Sequence, residues 1–447
     1  MDIIKSFNLF VKNKLVISRS ASDRSKSFFL NTILNFFLIG LKLGINLLMF
    51  RLLLSYIEEE RFGIWQTILS ITSFVTVFTF GYPNGLRNFI TKMLLSSSKN
   101  DIEKAIGSVY IKLSKITLLV FVLIIPIIYF FVDPNFLFFE TSISSFEIIY
   151  SLLIFTSFLL LNNILNLSDS IAFGYQKSYL TSLFHVIYLI VCYLVIYFLG
   201  KQVHLNLIHI SFIFGSTQTL RYVFFSIFQK YKMNIKINLD YNFSLTNLNK
   251  LSLNFFLAQL LAIIFLATDY FIISSVLGPE ETTKFSIVSK IFFTLITLFS
   301  ILLIHFWNSV TDAYEKREFV WIFKIIKILS FISIFIFIIG LIISFFQQKI
   351  INLWLGSNNL GLESLTFYLF SIYTFFHCIN AIFLNLQNGL GKLKLQIYTS
   401  FLVLFLYVLG CYLIDVKLHG YNSIITLKIG VMVLSIILNS LILKKIR

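Results

Sequence analysis

Asp269 and Lys290 stand where lipid should forbid a charge. Each lies inside an apolar run long enough to cross a bilayer, and within residues 254 to 290 the two runs are parted only by Gly278-Pro279-Glu280-Glu281. On insertion scales an Asp or Lys at a helix centre costs about 2.5 to 3.5 kcal/mol, while each Leu, Ile or Phe offsets only about 0.3 to 0.6 kcal/mol. Such a charge survives where it faces protein or water. Lys42, Arg221 and Lys428 sit in other apolar runs, and Asp169 lies nearer the end of one. Four intramembrane cations against two carboxylates predict a polar cavity of net positive charge. Its natural ligand is an anion bearing phosphates, which Arg grips bidentately and Lys meets as a point charge. Lys42, Arg221, Lys290 and Lys428 are therefore the expected substrate-binding residues, with Asp269 and Asp169 tuning their charge or coupling transport to an ion. The alternative for Asp269 is a pair with Lys290 or Lys428 that only ties helices together.

Other chemistry finds no footing in the sequence. His185, His209, His305 and His377 lack the spacing of metal ligands. Cys192, Cys378 and Cys411 form no paired motif, and Gly389-Leu390-Gly391-Lys392 is too short for a nucleotide-binding loop. No catalytic residue, metal or cofactor is expected, and the chain does not read as an enzyme.

The elements that must place these residues are membrane helices. Of 447 residues 58% are hydrophobic and 13% charged, with a mean hydropathy of +0.89, which excludes a soluble fold. Apolar runs of about 20 residues predict twelve spans. Six lie near 28 to 54, 64 to 81, 108 to 132, 147 to 171, 179 to 199 and 205 to 228, and six near 253 to 277, 285 to 308, 321 to 346, 364 to 388, 395 to 415 and 421 to 443. The prolines fall at breaks: Pro83 and Pro279 at helix ends, Pro134 in a loop, Pro126 as a kink within the third span. The net charge of +16 would suit nucleic acid if it were evenly spread. With the N-terminus in the cytoplasm, however, 26 of the 36 basic residues fall in segments on that side and six on the other. This is the positive-inside bias of a plasma-membrane protein. The expected setting is the bacterial inner membrane, with both termini cytoplasmic, lipids as neighbours and no nucleic acid. The basic first segment is followed by an apolar run too long for a signal peptide, read as an uncleaved first helix.

A repeat divides the chain. Asn35-Phe36-Phe37-Leu38 recurs as Asn254-Phe255-Phe256-Leu257, the stretch 58 to 64 is echoed by 280 to 287, and Leu165-Asn166-Leu167 by Leu384-Asn385-Leu386, at offsets close to 219. The expected organisation is a cytoplasmic segment 1 to 27, a six-helix bundle 28 to 228, a cytoplasmic linker 229 to 252, a second bundle 253 to 443 and a tail 444 to 447. Parallel halves of this kind place substrate between them. Polar stripes at helical spacing, such as Asn31, Asn35, Lys42 and Asn46 or Ser286, Lys290, Thr294 and Thr297, read either as cavity lining or as hydrogen-bonded helix packing. Gly40 and Gly44 form a GxxxG step that predicts close packing of the first helix.

Against this background Phe80-Gly81-Tyr82-Pro83-Asn84-Gly85-Leu86-Arg87-Asn88 resembles the Gly-x-x-Asn-Gly-Leu-Arg-Asn signature of Wzx-type polysaccharide flippases. Three further stretches agree in order: Thr268-Asp269 through Glu281, Trp307-Asn308 through Trp321, and Asn388 through Gln396. The resemblance spans both halves. It implies the all-α polytopic fold of the multidrug/oligosaccharidyl-lipid/polysaccharide exporter (MOP) superfamily, shared with the multidrug and toxic-compound extruders (MATE): about 12 transmembrane helices in two six-helix bundles around a central cavity that opens alternately to each side. It also implies the substrate, a polyprenyl-diphosphate-linked oligosaccharide repeat unit of O-antigen or capsule, flipped alongside other polysaccharide-assembly proteins. Arg87, Asn88, Asp269 and Lys392 are carried over as family-like positions, and Tyr82-Pro83 departs from the pattern. Two alternatives stand beside this reading. A drug/cation antiporter of the same superfamily would want more carboxylates than amines in its cavity. A membrane-embedded polysaccharide polymerase or ligase would want a larger outside loop than the short ones at 133 to 146 and 347 to 363.

Overall fold

The computed structural model describes residues 21–175, 177–235, 237–239, 246–315, 317–356, 361–390 and 393–445. Lys392 lies outside them, as do residues 1–20 of the expected N-terminal segment. Fifteen helices of eight residues or more follow in order. The first eight are α1 (Ala21–Tyr56), α2 (Glu59–Ser73, prolonged by the 3-10 turn Phe74–Thr79), α3 (Tyr82–Ser96), α4 (Lys99–Phe131), α5 (Ser145–Leu165), α6 (Leu167–Gly174), α7 (Ser178–Gly200) and α8 (Leu207–Lys232). Then come α9 (Thr246–Val276), α10 (Pro279–Glu315), α11 (Phe319–Phe345), α12 (Gln347–Leu355), α13 (Ser364–Gly389), α14 (Leu393–Leu413) and α15 (Asn422–Ser440). No strand occurs among the described residues.

Eleven of these helical segments are long and apolar enough to cross a membrane. The helix that falls short of that apolarity is α8, the sixth expected span, whose 26 residues include Gln218, Arg221 and Gln229. At 1.5 Å per residue it still measures roughly 39 Å. Large apolar side chains on α4 (Leu118, Val122, Phe130), α11 (Phe331, Phe335, Phe345) and α14 (Phe401, Phe405) point outward, forming the lipid-facing belt that a bilayer requires.

Two expectations need correction, and one helix adds to the expected set. After Gly81, α3 buries Tyr82, Leu86, Ile90 and Met93, spaced by three or four residues, against α4 and α6. Its apolar face is too short for a span but is amphipathic in the ordinary way. The chain enters it through Phe80 and Gly81, both in the left-handed region at φ 48° and 69°. Pro134, expected in a loop, heads the one-turn helix Pro134–Leu137, where its fixed φ suits the first helical position. At Gly40 and Gly44 a Cβ would find no neighbouring atom within 4 Å, so the GxxxG step does not pack a helix.

Helix pairings reproduce the repeat. In the first half α1 packs on α7, α4 on α5, α5 on α8 and α7 on α8; in the second, α9 packs on α14, α11 on α13, α13 on α15 and α14 on α15. The halves meet where α2 lies along α10 and α9, and where α3 reaches α9, whereas α1 touches α10 only sparsely. Buried side chains of α2 (Phe62, Ile64, Trp65, Ile68) and α10 (Phe285, Ile287, Val288, Phe292) belong to one core that runs through both halves. The echoing stretches 58 to 64 and 280 to 287 pack on each other: the Thr283 hydroxyl donates to the Glu59 carbonyl at 2.6 Å. Gly63 permits this approach, since a Cβ there would stand 1.7 Å from the Pro279 carbonyl oxygen. Gly63→Ala should therefore lower thermal stability in detergent by about 2 kcal/mol or more, the scale of core overpacking. Unchanged stability would show that this contact yields freely.

Candidate translocation site

Each half encloses a polar network of its own. In the second, Asp269 on α9 is only 2% exposed. Its Oδ1 accepts from the Tyr407 hydroxyl of α14, and its Oδ2 accepts from the Lys428 ammonium of α15. That ammonium lies 4.6 Å from the ring centroid of Phe265, 5.5 Å from Tyr407 and 5.8 Å from Tyr373. Cation–π attraction of about 0.5 to 2 kcal/mol per favourable face reinforces the pair. Of the two lysines that the sequence offered to Asp269, Lys428 is its partner. Towards the far ends of α13 and α15, Asn439 accepts from Gln387 at 2.8 Å and Thr399 at 2.9 Å, and Asn380 accepts from Ser435 at 3.0 Å.

In the first half Arg221 of α8 brings Nη2 to 2.7 Å from both oxygens of Asp169 on α6, and its guanidinium lies 4.4 Å from the Tyr222 ring. Thr219 donates to Asn162 at 2.8 Å and Gln229 to the Ser168 carbonyl at 2.6 Å. Asp169 and Arg221 precede Gln387 and Asn439 by 218 residues each, so the ion pair of one half is answered by a neutral amide pair in the other. Conversely Phe50 lies 219 residues before Asp269. The two halves repeat their helix pairings and differ in where their charges sit.

Lys42 of α1 and Lys290 of α10 are a different kind of cation. Both are half-buried, and neither ammonium has a hydrogen bond or ion pair among the described residues. They come from opposite halves and act on one another electrostatically, while Arg221 and Asp169 are the further charged neighbours of Lys42. The Lys290 ammonium lies 6.0 Å from the Phe50 ring centroid. In the polar stripes around the two lysines, Asn35 accepts across helices from Ser182 of α7 at 2.5 Å, while Asn46, Ser286, Thr294 and Thr297 donate to carbonyls of their own helices.

Arg87 and Asn88 do not join these charges. Arg87 is exposed and lies 4.8 Å from the Phe173 ring, and Asn88 is half-buried on the same helix. Their motif docks α3. Tyr82 donates to Asn249 at 2.8 Å, Leu86 is fully buried, and a Cβ at Gly85 would meet the Ser252 hydroxyl at 2.2 Å. Among the described residues no cluster of His, Cys, Asp or Glu could hold a metal. The sequence did not disclose Tyr407, Tyr373 and Phe265 around Lys428, because nothing in their spacing separates them from the other rings among 53 Phe and 21 Tyr.

The fold is similar to that of solved transporters of the MOP superfamily, and the chain is a multi-pass membrane protein. It superposes on the lipid II flippase MurJ in an inward closed conformation with a TM-score of 0.73 at 15% identity, covering 93% of this chain and 87% of that one. An inward-facing multidrug resistance MATE family transporter gives 0.71 at 14% identity over 90% and 94%. A MOP superfamily transporter from Pyrococcus furiosus, described as having a binding pocket of reversed polarity, gives 0.70 at 13% over 94% and 96%. In sequence the chain is similar to a protein of Salmonella typhimurium named "Putative O-antigen transporter", 23% identical over 341 residues, or 74% of this chain and 76% of that protein. No family model matches.

Proposed function

We propose that this protein is a flippase that carries a polyprenyl-diphosphate-linked oligosaccharide from the inner to the outer leaflet of the bacterial inner membrane, its diphosphate held between Lys42 and Lys290. The observation that carries this reading is the contrast among the buried charges. Asp169 and Asp269 are each engaged by a cation of their own half, whereas Lys42 and Lys290, one from each half, form no ion pair among the described residues. A two-cation seam between halves suits a doubly charged anion that must be released when the halves part. A drug/cation antiporter needs a carboxylate open to its substrate, and both intramembrane candidates are occupied. Outward movement of an anion also runs down an inside-negative potential, worth about 2.3 kcal/mol per charge per 100 mV. The similarity to the O-antigen transporter supports the glycan part of the reading.

The test is deletion of the gene, followed by extraction of lipid-linked glycans with labelling restricted to one leaflet. Complete units trapped on the cytoplasmic leaflet are expected. Units exposed outside but unpolymerised would point to a polymerase, and an unchanged distribution would refute both readings.

A further inference from the structure

We infer that Trp354 is the bolt that holds the α1–α10 seam shut beside the loops 57–58 and 277–278, and that binding of an anion at Lys290 withdraws it. The inference rests on the flippase reading for the nature of the anion, but its geometry does not.

Trp354 belongs to the second half, near the end of the short helix α12, yet its indole Nε1 donates to the carbonyl of Leu47 on α1 at 3.0 Å. Its ring centroid is 5.2 Å from that of Phe50, also on α1. Phe50 in turn meets Phe62 of α2 edge-on at 4.6 Å and has the Lys290 ammonium 6.0 Å away. A single aromatic side chain of α12 thus ties the second half to α1, which otherwise touches α10 only sparsely, while on the opposite side α2 packs on α9. The neighbour Leu353 is 84% exposed and Ile351 is buried, so α12 lies at the rim with one side turned outward and Trp354 turned across the seam. Such a helix can move without unfolding a bundle.

The chain Lys290, Phe50, Trp354 supplies the link to occupancy. In the closed seam the ammonium forms no hydrogen bond or ion pair among the described residues and has the face of Phe50 at 6.0 Å. A phosphate oxygen is a stronger partner for Lys than a ring face. Binding of the anion draws Lys290 from Phe50, removes one of the contacts that hold that ring against Trp354, and lowers the cost of opening. A ligand shifts a two-state equilibrium only through a contact that differs between the states, and this is such a contact.

The test places a cysteine at Thr294, one turn beyond Lys290, in the full-length protein in intact cells. A membrane-impermeant maleimide is added from the side that carries α12. Cys192, Cys378 and Cys411 are buried, and protein lacking the new cysteine sets the background. Trp354→Ala should raise labelling about tenfold, the shift that 1.4 kcal/mol produces in a two-state population. Trp354→Phe, which keeps the ring and loses the donor, should raise it less and guards against a variant that fails to fold. Unchanged labelling in both variants overturns the bolt. In cells making the lipid-linked glycan, Lys290→Gln should lower labelling severalfold, and adding Trp354→Ala should restore it. If Lys290→Gln lowers labelling equally in both backgrounds, Trp354 does not act after Lys290 and the link is overturned. Normal leaflet distribution in the deletion strain would remove the flippase reading while leaving the ratios for Trp354→Ala and Trp354→Phe intact, so the two failures are distinguishable.

Discussion

Replacing Lys42 and Lys290 together by Gln should abolish translocation while leaving the folded protein in the membrane. On the proposed reading each lysine gives phosphate a charge-assisted hydrogen bond worth about 1.5 to 3 kcal/mol, so Lys42→Ala or Lys290→Ala alone should slow flipping roughly ten- to a hundredfold. The double variant loses both anchors and with them most of the preference for an anion. Expression and thermal stability should be unaffected, because neither ammonium has a hydrogen bond or ion pair among the described residues, and a ring face 6.0 Å from Lys290 contributes little to holding the fold together. Lys→Arg at either site should retain activity, since the charge persists. The measurement is the rate at which lipid-linked glycan reaches the outer leaflet. Normal flipping by both single variants at native expression would show that the phosphates are held elsewhere.

Asp269→Ala should have the opposite signature, a loss of folded protein. Removing the carboxylate leaves the Lys428 ammonium uncompensated among Phe265, Tyr373 and Tyr407. Breaking a buried pair in this way costs about 3 to 5 kcal/mol. The pair ties α9, α14 and α15 together, so the second half should unfold at lower temperature and the protein should be depleted from the membrane. Replacing both charges with groups of similar size, as in Asp269→Asn/Lys428→Met, should restore most of the stability, because the desolvation penalty disappears along with the attraction. Thermal melting of purified protein decides this part. Flipping by the double variant then decides the role of the pair. Substantial activity makes Asp269 and Lys428 a structural tie, whereas a stable but inactive variant would assign them to coupling.

These contrasting expectations could not be read from the chain alone. The twelve apolar runs were legible because a bilayer allows few alternatives to a helix of about 20 residues, and the repeat was legible because its short matches kept one order and offset. The presence of buried charge was equally plain at Lys42, Arg221, Asp269, Lys290 and Lys428. What remained hidden was which charges neutralise one another, since pairing depends on how helices far apart in sequence turn towards each other: Asp269 meets Lys428 across 159 positions. The choice between Lys290 and Lys428 for that partner is a matter of rotation about a helix axis, which hydropathy does not encode. α3 and α12 were missed for another reason. A search for spans passes over short amphipathic helices, although Tyr82, Leu86, Ile90 and Met93 carried the 3.6-residue period in plain view.

The contact between residues 58 to 64 and 280 to 287 is formed by two versions of one sequence meeting about an axis, as the identical surfaces of a twofold dimer do. In a true dimer every substitution at such a contact, and every charge near it, would appear twice. Joining both copies in a single chain lifts that restriction. It lets Gly63 stay small where its counterpart is larger, and it lets an ion pair on one side be an amide pair on the other. It also lets Lys42 and Lys290 stand one in each half without a mirrored set behind them. A single off-axis site with no twin across the axis is a property that the fused repeat can have and a symmetric pair cannot.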